Sequence, residues 1–206
     1  MLANLCIESL GKKYDKRWVI RQLDFELKSG DSLVVTGRNG SGKSTLVKLI
    51  ASLLSPTEGI VSLNINSNST IGDERRHWIG LSALDLALYL TLTGKEHLHF
   101  FSEVRGLSLN QTQIEETLVR FDLKGRGDDL VGAYSTGMKQ RLRLAIATMH
   151  SPALLLLDEP GSGLDEVGRK VLDEVIAQQR ERGILIVATN DIDEHQYGEL
   201  ALELGA

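Results

Sequence analysis

The chain has 206 residues, 42% apolar and 5% aromatic, with 20 Gly and 3 Pro; this is ordinary folded-domain composition and excludes a disordered or low-complexity protein. Its 23 Lys and Arg stand against 28 Asp and Glu, a net charge of −5, so the basic excess of a protein built to grip nucleic-acid phosphates is missing and no nucleic-acid partner is expected. One cysteine, Cys6, excludes an internal disulfide, and the apolar runs 153–157 and 184–188 fall far short of the roughly 20 residues that a membrane-spanning helix needs.

Cys6 lies between Leu5 and Ile7 and reads as a buried strand position. The opening Met1-Leu2-Ala3-Asn4 has no basic segment followed by an apolar one, so no export signal is read and a reducing, cytoplasmic setting is expected. Residues 33–36 form the next short apolar run, a strand. Behind it Leu46, Val47, Leu49, Ile50, Leu53 and Leu54 share one helical face, which makes a βα unit that Pro56 and Gly59 close. Residues 59–65 read as another strand and the polar stretch 64–70 as a loop. From 84 to 140 the pattern is mainly helical, with helices near 96–101 and 113–121 parted by a turn at Gly106-Leu107-Ser108. Alternation then returns: helix 138–149, strand 153–157, helix 167–180, strand 184–189. This order predicts one α/β domain over residues 1–206, with a mainly parallel sheet and a helical insertion at about 84–140.

Two motifs carry chemistry. Gly37-Arg38-Asn39-Gly40-Ser41-Gly42-Lys43-Ser44-Thr45 satisfies G-x-x-x-x-G-K-[ST] between a strand and a helix. The glycines let several backbone N–H groups aim at phosphate oxygens, and the helix adds the positive end of its dipole. Lys43 is placed to meet the β and γ phosphates, and the Ser44 hydroxyl to hold Mg²⁺, a cation that prefers hard oxygen ligands. Second, the strand ending Leu157-Asp158-Glu159 delivers two adjacent acids to the sheet edge where ligands of α/β folds collect. Because successive strand residues point opposite ways, Asp158 is read as the metal-side carboxylate and Glu159 as the base for an attacking water.

Between these motifs lies Tyr134-Ser135-Thr136-Gly137-Met138-Lys139-Gln140-Arg141, and after the acids Ser162-Gly163-Leu164-Asp165. The first segment resembles the L-S-G-G-Q signature loop of the ATP-binding-cassette family, the second that family's D-loop, and the resemblance spans essentially the whole chain. It implies a P-loop NTPase core with an N-terminal antiparallel β part and an inserted helical subdomain. It also implies a sandwich of two cassettes around two Mg-ATP, with Ser135 and Gly137 completing the partner's phosphate site, Asp165 at the dimer contact and Tyr14 stacking on adenine. Local readings stand beside two of these: Tyr14 as a strand-edge ring packing locally, Asp165 as a helix N-cap.

The chain departs from the family pattern twice. Where the family carries a Gln that senses Mg²⁺ and the attacking water, Ile79-Gly80-Leu81-Ser82-Ala83-Leu84-Asp85 places Leu84, leaving Asp85 or Ser82 as partial substitutes. Where it carries a His that contacts the γ-phosphate, Ala188-Thr189-Asn190-Asp191 supplies Asn190, whose amide donates a hydrogen bond but carries no titratable proton. ATP binding should survive and hydrolysis should slow. The other His (His77, His97, His99, His150) are read as surface or capping residues, and Arg75-Arg76 as a solvated face. The resemblance points to the ATP-binding subunit of a membrane transporter, peripheral on the cytoplasmic face, paired with a second cassette in a homodimer and with a polytopic membrane subunit against residues 86–106. Two other readings stand: an ATP-driven switch or assembly factor without a membrane partner, and the weak half of a heterodimer.

Overall fold

The computed structural model describes residues 2–66 and 68–205. Its first sheet is antiparallel, in the order β2-β1-β4-β5, with β1 (Ala3–Tyr14), β2 (Arg17–Lys28), β4 (Glu58–Ile65) and β5 (Asn68–Ile71). Alternation turns Ala3, Leu5 and Ile7 of β1 and Val61, Leu63 and Ile65 of β4 to the core. Cys6 therefore faces the other way. It is half-buried, not buried as predicted, and its thiol contacts Glu8 Oε1 at 3.5 Å. Part of the stretch predicted as a loop is β5, paired from Asn68 to Ile71 against β4, while Ser67 lies outside the described residues.

The second sheet is parallel, ordered β6-β7-β8-β3-β9, with β3 (Ser32–Thr36), β6 (Ile79–Ala83), β7 (Leu154–Asp158), β8 (Ile184–Ala188) and β9 (Leu200–Glu203). β7 and β8 are buried along their whole length because helices cover both faces, which is why they read as unbroken apolar runs. Leu154, Leu156, Ile184 and Ile186 meet α1 (Lys43–Ile50) and the antiparallel sheet. On the opposite face Leu155, Leu157, Leu185 and Val187 meet α4 (Thr136–Thr148) and α5 (Glu166–Arg182). The predicted inserted helices are α2 (Gly94–Val104) and α3 (Gln111–Arg120), joined to that second core through Leu98, Ile114, Leu118 and Phe121. Both start earlier than their apolar periodicity indicates, because capping boxes at Thr93/Glu96 and Asn110/Gln113 satisfy their first N–H groups.

α1 ends at Ile50 and not at Leu54. Arg75, read from sequence as solvated, is buried: it donates to Leu49 O at 3.1 Å and Ser52 Oγ at 2.6 Å, taking up an end carbonyl of the helix where Ser52 turns left-handed at φ 58°. Phe121 is fully buried where α3 ends. Phe121→Ala is expected to cost about 3–5 kcal/mol, read as a lowered denaturant midpoint.

Two histidines are also inside. His97 is fully buried; its Nδ1 lies 3.0 Å from Thr93 O and its Nε2 accepts from Tyr89 N at 2.9 Å, which suits a neutral ring protonated on Nδ1. His150 is half-buried against Ile79 O at 3.2 Å, and desolvation, with Arg105 nearby, lowers its pKa to about 4. A histidine whose folded pKa is depressed stabilises above its unfolded pKa, near 6.5, and that contribution is lost as pH falls toward the folded value. The stability of the native chain should therefore decline between about pH 6.5 and 4, by about 1.4 kcal/mol per unit from this residue, and His150→Gln should flatten that slope. Urea titrations of both proteins across this range make the comparison.

Candidate nucleotide site

β3 runs into the loop 37–42 and then α1, the strand, loop and helix order that the motif requires. Two glycines have no substitute here. Gly37, at φ 137°, would push a Cβ to 2.4 Å from Leu204 O, and Gly42, at φ 110°, to 2.8 Å from Val19 Cγ1 of β2. The backbone is thereby held close to the terminal strand on one side and the first sheet on the other. Arg38, Asn39, Gly40 and Ser44 face solvent, whereas Lys43 is buried and Thr45 half-buried. The Lys43 ammonium donates to Gly37 O at 2.8 Å and to Asn190 Oδ1 at 2.7 Å, and the Asn190 amide nitrogen donates to Asn39 Oδ1. Asn190, 147 residues downstream, thus bridges two sides of the loop.

Asp158 closes β7 opposite Ala83 and Ala188 and is buried. Desolvation raises its pKa, Asp85 adds to the rise, and the Ser44 hydroxyl with the Lys43 and Lys48 ammonium groups oppose it. Its Oδ1 and the Ser41 Oγ are buried atoms with no hydrogen-bond partner among the described residues. Orphaned oxygens are costly in a folded core, and here they lie on the loop and strand end that the sequence assigns to phosphate and Mg²⁺. The donor set of Ser44 hydroxyl and Asp158 carboxylate is the hard-oxygen kind that Mg²⁺ takes. Glu159 leaves the strand at φ 50°, a left-handed conformation unusual for a residue with a side chain, and its Oε2 lies 3.4 Å from Asn190 N and 3.5 Å from Thr189 Oγ1. The structure thus brings Lys43, Asn39, Asn190 and Glu159 into one connected set.

Ser135 and Asp165 are helix N-caps: the Ser135 hydroxyl accepts from Met138 N at 3.1 Å and the Asp165 carboxylate from Gly168 N at 2.8 Å. Among the described residues, no hydrogen bond or ion pair joins Ser135, Gly137 or Asp165 to the loop 37–45. They meet one another's loops instead: a Cβ on Gly137 would lie 3.0 Å from Gly163 O, and one on Gly163 2.7 Å from Thr136 Cγ2. Three supports of these loops were not read as functional from sequence. Gln140, fully buried, donates to Pro160 O at 3.1 Å. Glu194, buried and with a raised pKa, accepts from Gly161 N at 2.9 Å, though it sits in an acidic stretch that reads as solvated. Arg143 is the third: its Nε donates to Leu86 O at 3.1 Å and its guanidinium donates to Gln140 Oε1 at 3.4 Å. Only Gln140 had a sequence signal, as part of the signature segment.

Tyr14, at the end of β1, is exposed, with the Lys12 ammonium 5.2 Å from its ring centre. Leu84 is exposed as well, and Ser82, paired on β6 with Leu157 of β7, is buried with its Oγ unpartnered among the described residues. Asp85 is ion-paired with Lys48 of α1. Beyond it a groove of about 320 Å³, lined by Leu53, Leu81, Leu86, Leu88, Phe101 and Ile146 among others, opens between core and helical lobe. No helix among the described residues is long and apolar enough to cross a membrane.

Comparison with known proteins agrees with this architecture. The profile of the ABC transporter family matches residues 20–162. The linearmycin resistance ATP-binding protein LnrL of Bacillus subtilis is 33% identical over 188 residues, 89% of this chain and 60% of that protein. The ABC transporter ATP-binding protein NatA of Bacillus subtilis is 31% identical over 189 residues, 88% of this chain and 77% of that one. The chain spans about 60% of the length of several such curated relatives. Among solved structures, an ATP-binding subunit of an ABC transporter superposes with a TM-score of 0.84 at 28% identity, covering 97% of this chain and 85% of that one. A dimeric bacterial ABC transporter cassette, 23% identical, covers 97% of this chain and 94% of that one with a TM-score of 0.85 and so shares the fold. The sequence profile and the two-sheet fold with its inserted helices give one answer: this chain belongs to the ABC transporter family of ATP-binding proteins.

Proposed function

We propose that the chain is the ATP-binding subunit of an ABC transporter, taking Mg-ATP on the loop 37–45 and hydrolysing it slowly. The observation that carries this is the connected set of Lys43, Asn39, Asn190 and Glu159 around a phosphate loop, beside the orphaned oxygens of Ser41 and Asp158. When bound, Mg²⁺ would sit on Ser44 and Asp158 and neutralise phosphate charge. Lys43 exchanges its contact with Asn190 Oδ1 for a phosphate oxygen, the N–H groups of residues 38–45 hold the remaining oxygens, and Glu159 accepts the proton of the attacking water. Tyr14, exposed at the strand end, stacks on the adenine. Ser135 and Gly137 act on the nucleotide of a second copy and Asp165 at the contact between the copies, which fits the exposed N-cap positions of Ser135 and Asp165, the half-buried place of Gly137 in the first turn of α4, and their lack of contact with the chain's own loop.

Slow turnover follows from Leu84 and Asn190 in place of a Gln and a His. The groove beside α2 receives a polytopic membrane partner, and Tyr89, Leu90, Phe100 and Val104 are further exposed apolar side chains of the inserted segment. The whole chain then acts as one cassette, residues 1–206, on the cytoplasmic face of the membrane. Affinity capture of tagged protein from detergent-solubilised membranes, with and without ATP, tests the reading. A stoichiometric polytopic partner supports it, and recovery of cytosolic partners alone overturns it in favour of an ATP-driven switch.

A further inference from the structure

Glu159 holds a left-handed backbone at φ 50°, a conformation that persists in a residue with a side chain only where its surroundings over-determine it. Its own N–H donates to Ala188 O of β8 at 2.8 Å, and its carbonyl accepts from Ser162 N at 3.2 Å. The next residue is Pro160, whose ring fixes φ, so the course of the chain beyond Glu159 depends on the plane of the peptide group between Pro160 and Gly161. That plane is gripped at both edges. Its carbonyl, Pro160 O, accepts from Gln140 Nε2 of α4 at 3.1 Å, and its N–H, on Gly161, donates to Glu194 Oε1 at 2.9 Å. Because a peptide group is planar, one hydrogen bond at each edge fixes its orientation. Gly161 is what lets the carboxylate come so close: a Cβ there would lie 2.2 Å from Glu194 Oε1.

We propose that Gln140 and Glu194 are positioning residues that together set the Pro160–Gly161 peptide plane, and thereby the backbone from which the Glu159 carboxylate reaches the attacking water. The inference rests on the proposed hydrolytic role of Glu159 and names what holds that residue in place. Folding alone gives Glu194 little purpose. It is 2% exposed, and its Oε2 is buried without a hydrogen-bond partner among the described residues. Arg169, the cation beside Gly161, pairs with Asp191 instead. A buried carboxylate left unpaired in this way is costly, and apolar side chains of similar volume often serve stability as well or better. Gln140 is fully buried too, and it comes from a different element. Two buried polar side chains, one from α4 and one from the 3₁₀ segment Ile192–Tyr197, therefore converge on the single peptide group that follows the reacting carboxylate. Position is what they supply, and a displacement of about 1 Å at a reacting group can cost roughly 10²-fold in rate.

Steady-state and single-turnover ATP hydrolysis by the full chain test this. Glu194→Leu and Gln140→Leu each remove one edge of the grip and should lower kcat about 10- to 100-fold, with KM for ATP within about threefold of native. Glu194→Gln keeps an oxygen that accepts from Gly161 N–H and loses only the charge, so it should turn over within about threefold of native. The double variants separate positioning from general damage. In Glu159→Gln protein, adding Glu194→Leu or Gln140→Leu should lower the residual turnover no further, whereas a structural defect lowers it again. Native kcat in either leucine variant overturns the proposal, as does Glu194→Gln protein as slow as Glu194→Leu, or a loss that repeats in the Glu159→Gln background. If one leucine variant does not fold, the other reads the same peptide plane from its opposite edge. Native-rate hydrolysis by Glu159→Gln alone is a failure of the functional reading itself, and it shows before any second substitution is made.

Discussion

Glu159→Gln is expected to lower Mg-ATP turnover by about 10² to 10⁴, the range a positioned general base contributes, while nucleotide affinity stays near that of the native chain. The carboxylate has the right neighbours for this split. It stands at the end of a fully buried strand, fixed by a backbone bond from Glu159 N to Ala188 O at 2.8 Å, and its side chain faces Asn190 and Thr189 at long hydrogen-bond distances. Loose contacts of that length leave room for a water. Gln keeps the shape and the acceptor oxygen but cannot take a proton at neutral pH, so substrate binding persists and the chemical step stalls. The variant should then accumulate the ATP-bound dimer, read by size-exclusion chromatography with light scattering. Glu159→Gln protein that hydrolyses ATP at the native rate would falsify the assignment of this residue.

The core of the site was legible in the sequence because it is local. A glycine-spaced loop between a strand and a helix states its own geometry, and a five-residue apolar strand ending in two acids states where they emerge. Predicted strands 33–36, 153–157 and 184–189 fall on β3, β7 and β8 within a residue or so at each end. What sequence could not give is long-range. Arg75 reads as one of two adjacent surface cations until the 3₁₀ segment Gly72–Trp78 turns it under α1 toward Leu49 O and Ser52. His97 and His150 sit against backbone partners that their sequence neighbours do not name, Tyr89 N and Ile79 O, and β9 is four residues with no alternation strong enough to announce an edge strand. Asn190 shows the same limit at the site itself. Its position after β8 was readable, but its bridge across the phosphate loop to Asn39 and Lys43 depends on β8 lying beside β3.

That bridge gives the second large effect. In the native chain Asn190 offers Oδ1 to the Lys43 ammonium and its amide nitrogen to Asn39, so both polar atoms are engaged within the protein. A bound γ-phosphate must compete for Lys43, and the short amide supplies at best one neutral donor in return. An imidazole at this position reaches further and offers an N–H whose proton can be shared as charge builds on the phosphate in the transition state. Asn190→His is therefore expected to raise turnover by roughly 10- to 100-fold, somewhat below what a single well-placed transition-state donor contributes elsewhere. The gain should appear in kcat with little change in KM, because ground-state phosphate binding is already carried by the loop and Lys43. It should vanish in Asn190→His/Glu159→Gln, since the donor acts only when a base delivers the water. Steady-state kinetics of native, single and double variants decide the matter: rapid native turnover that Asn190→His leaves unchanged would show that Asn190 already does all that a histidine could, and that the slow step lies elsewhere.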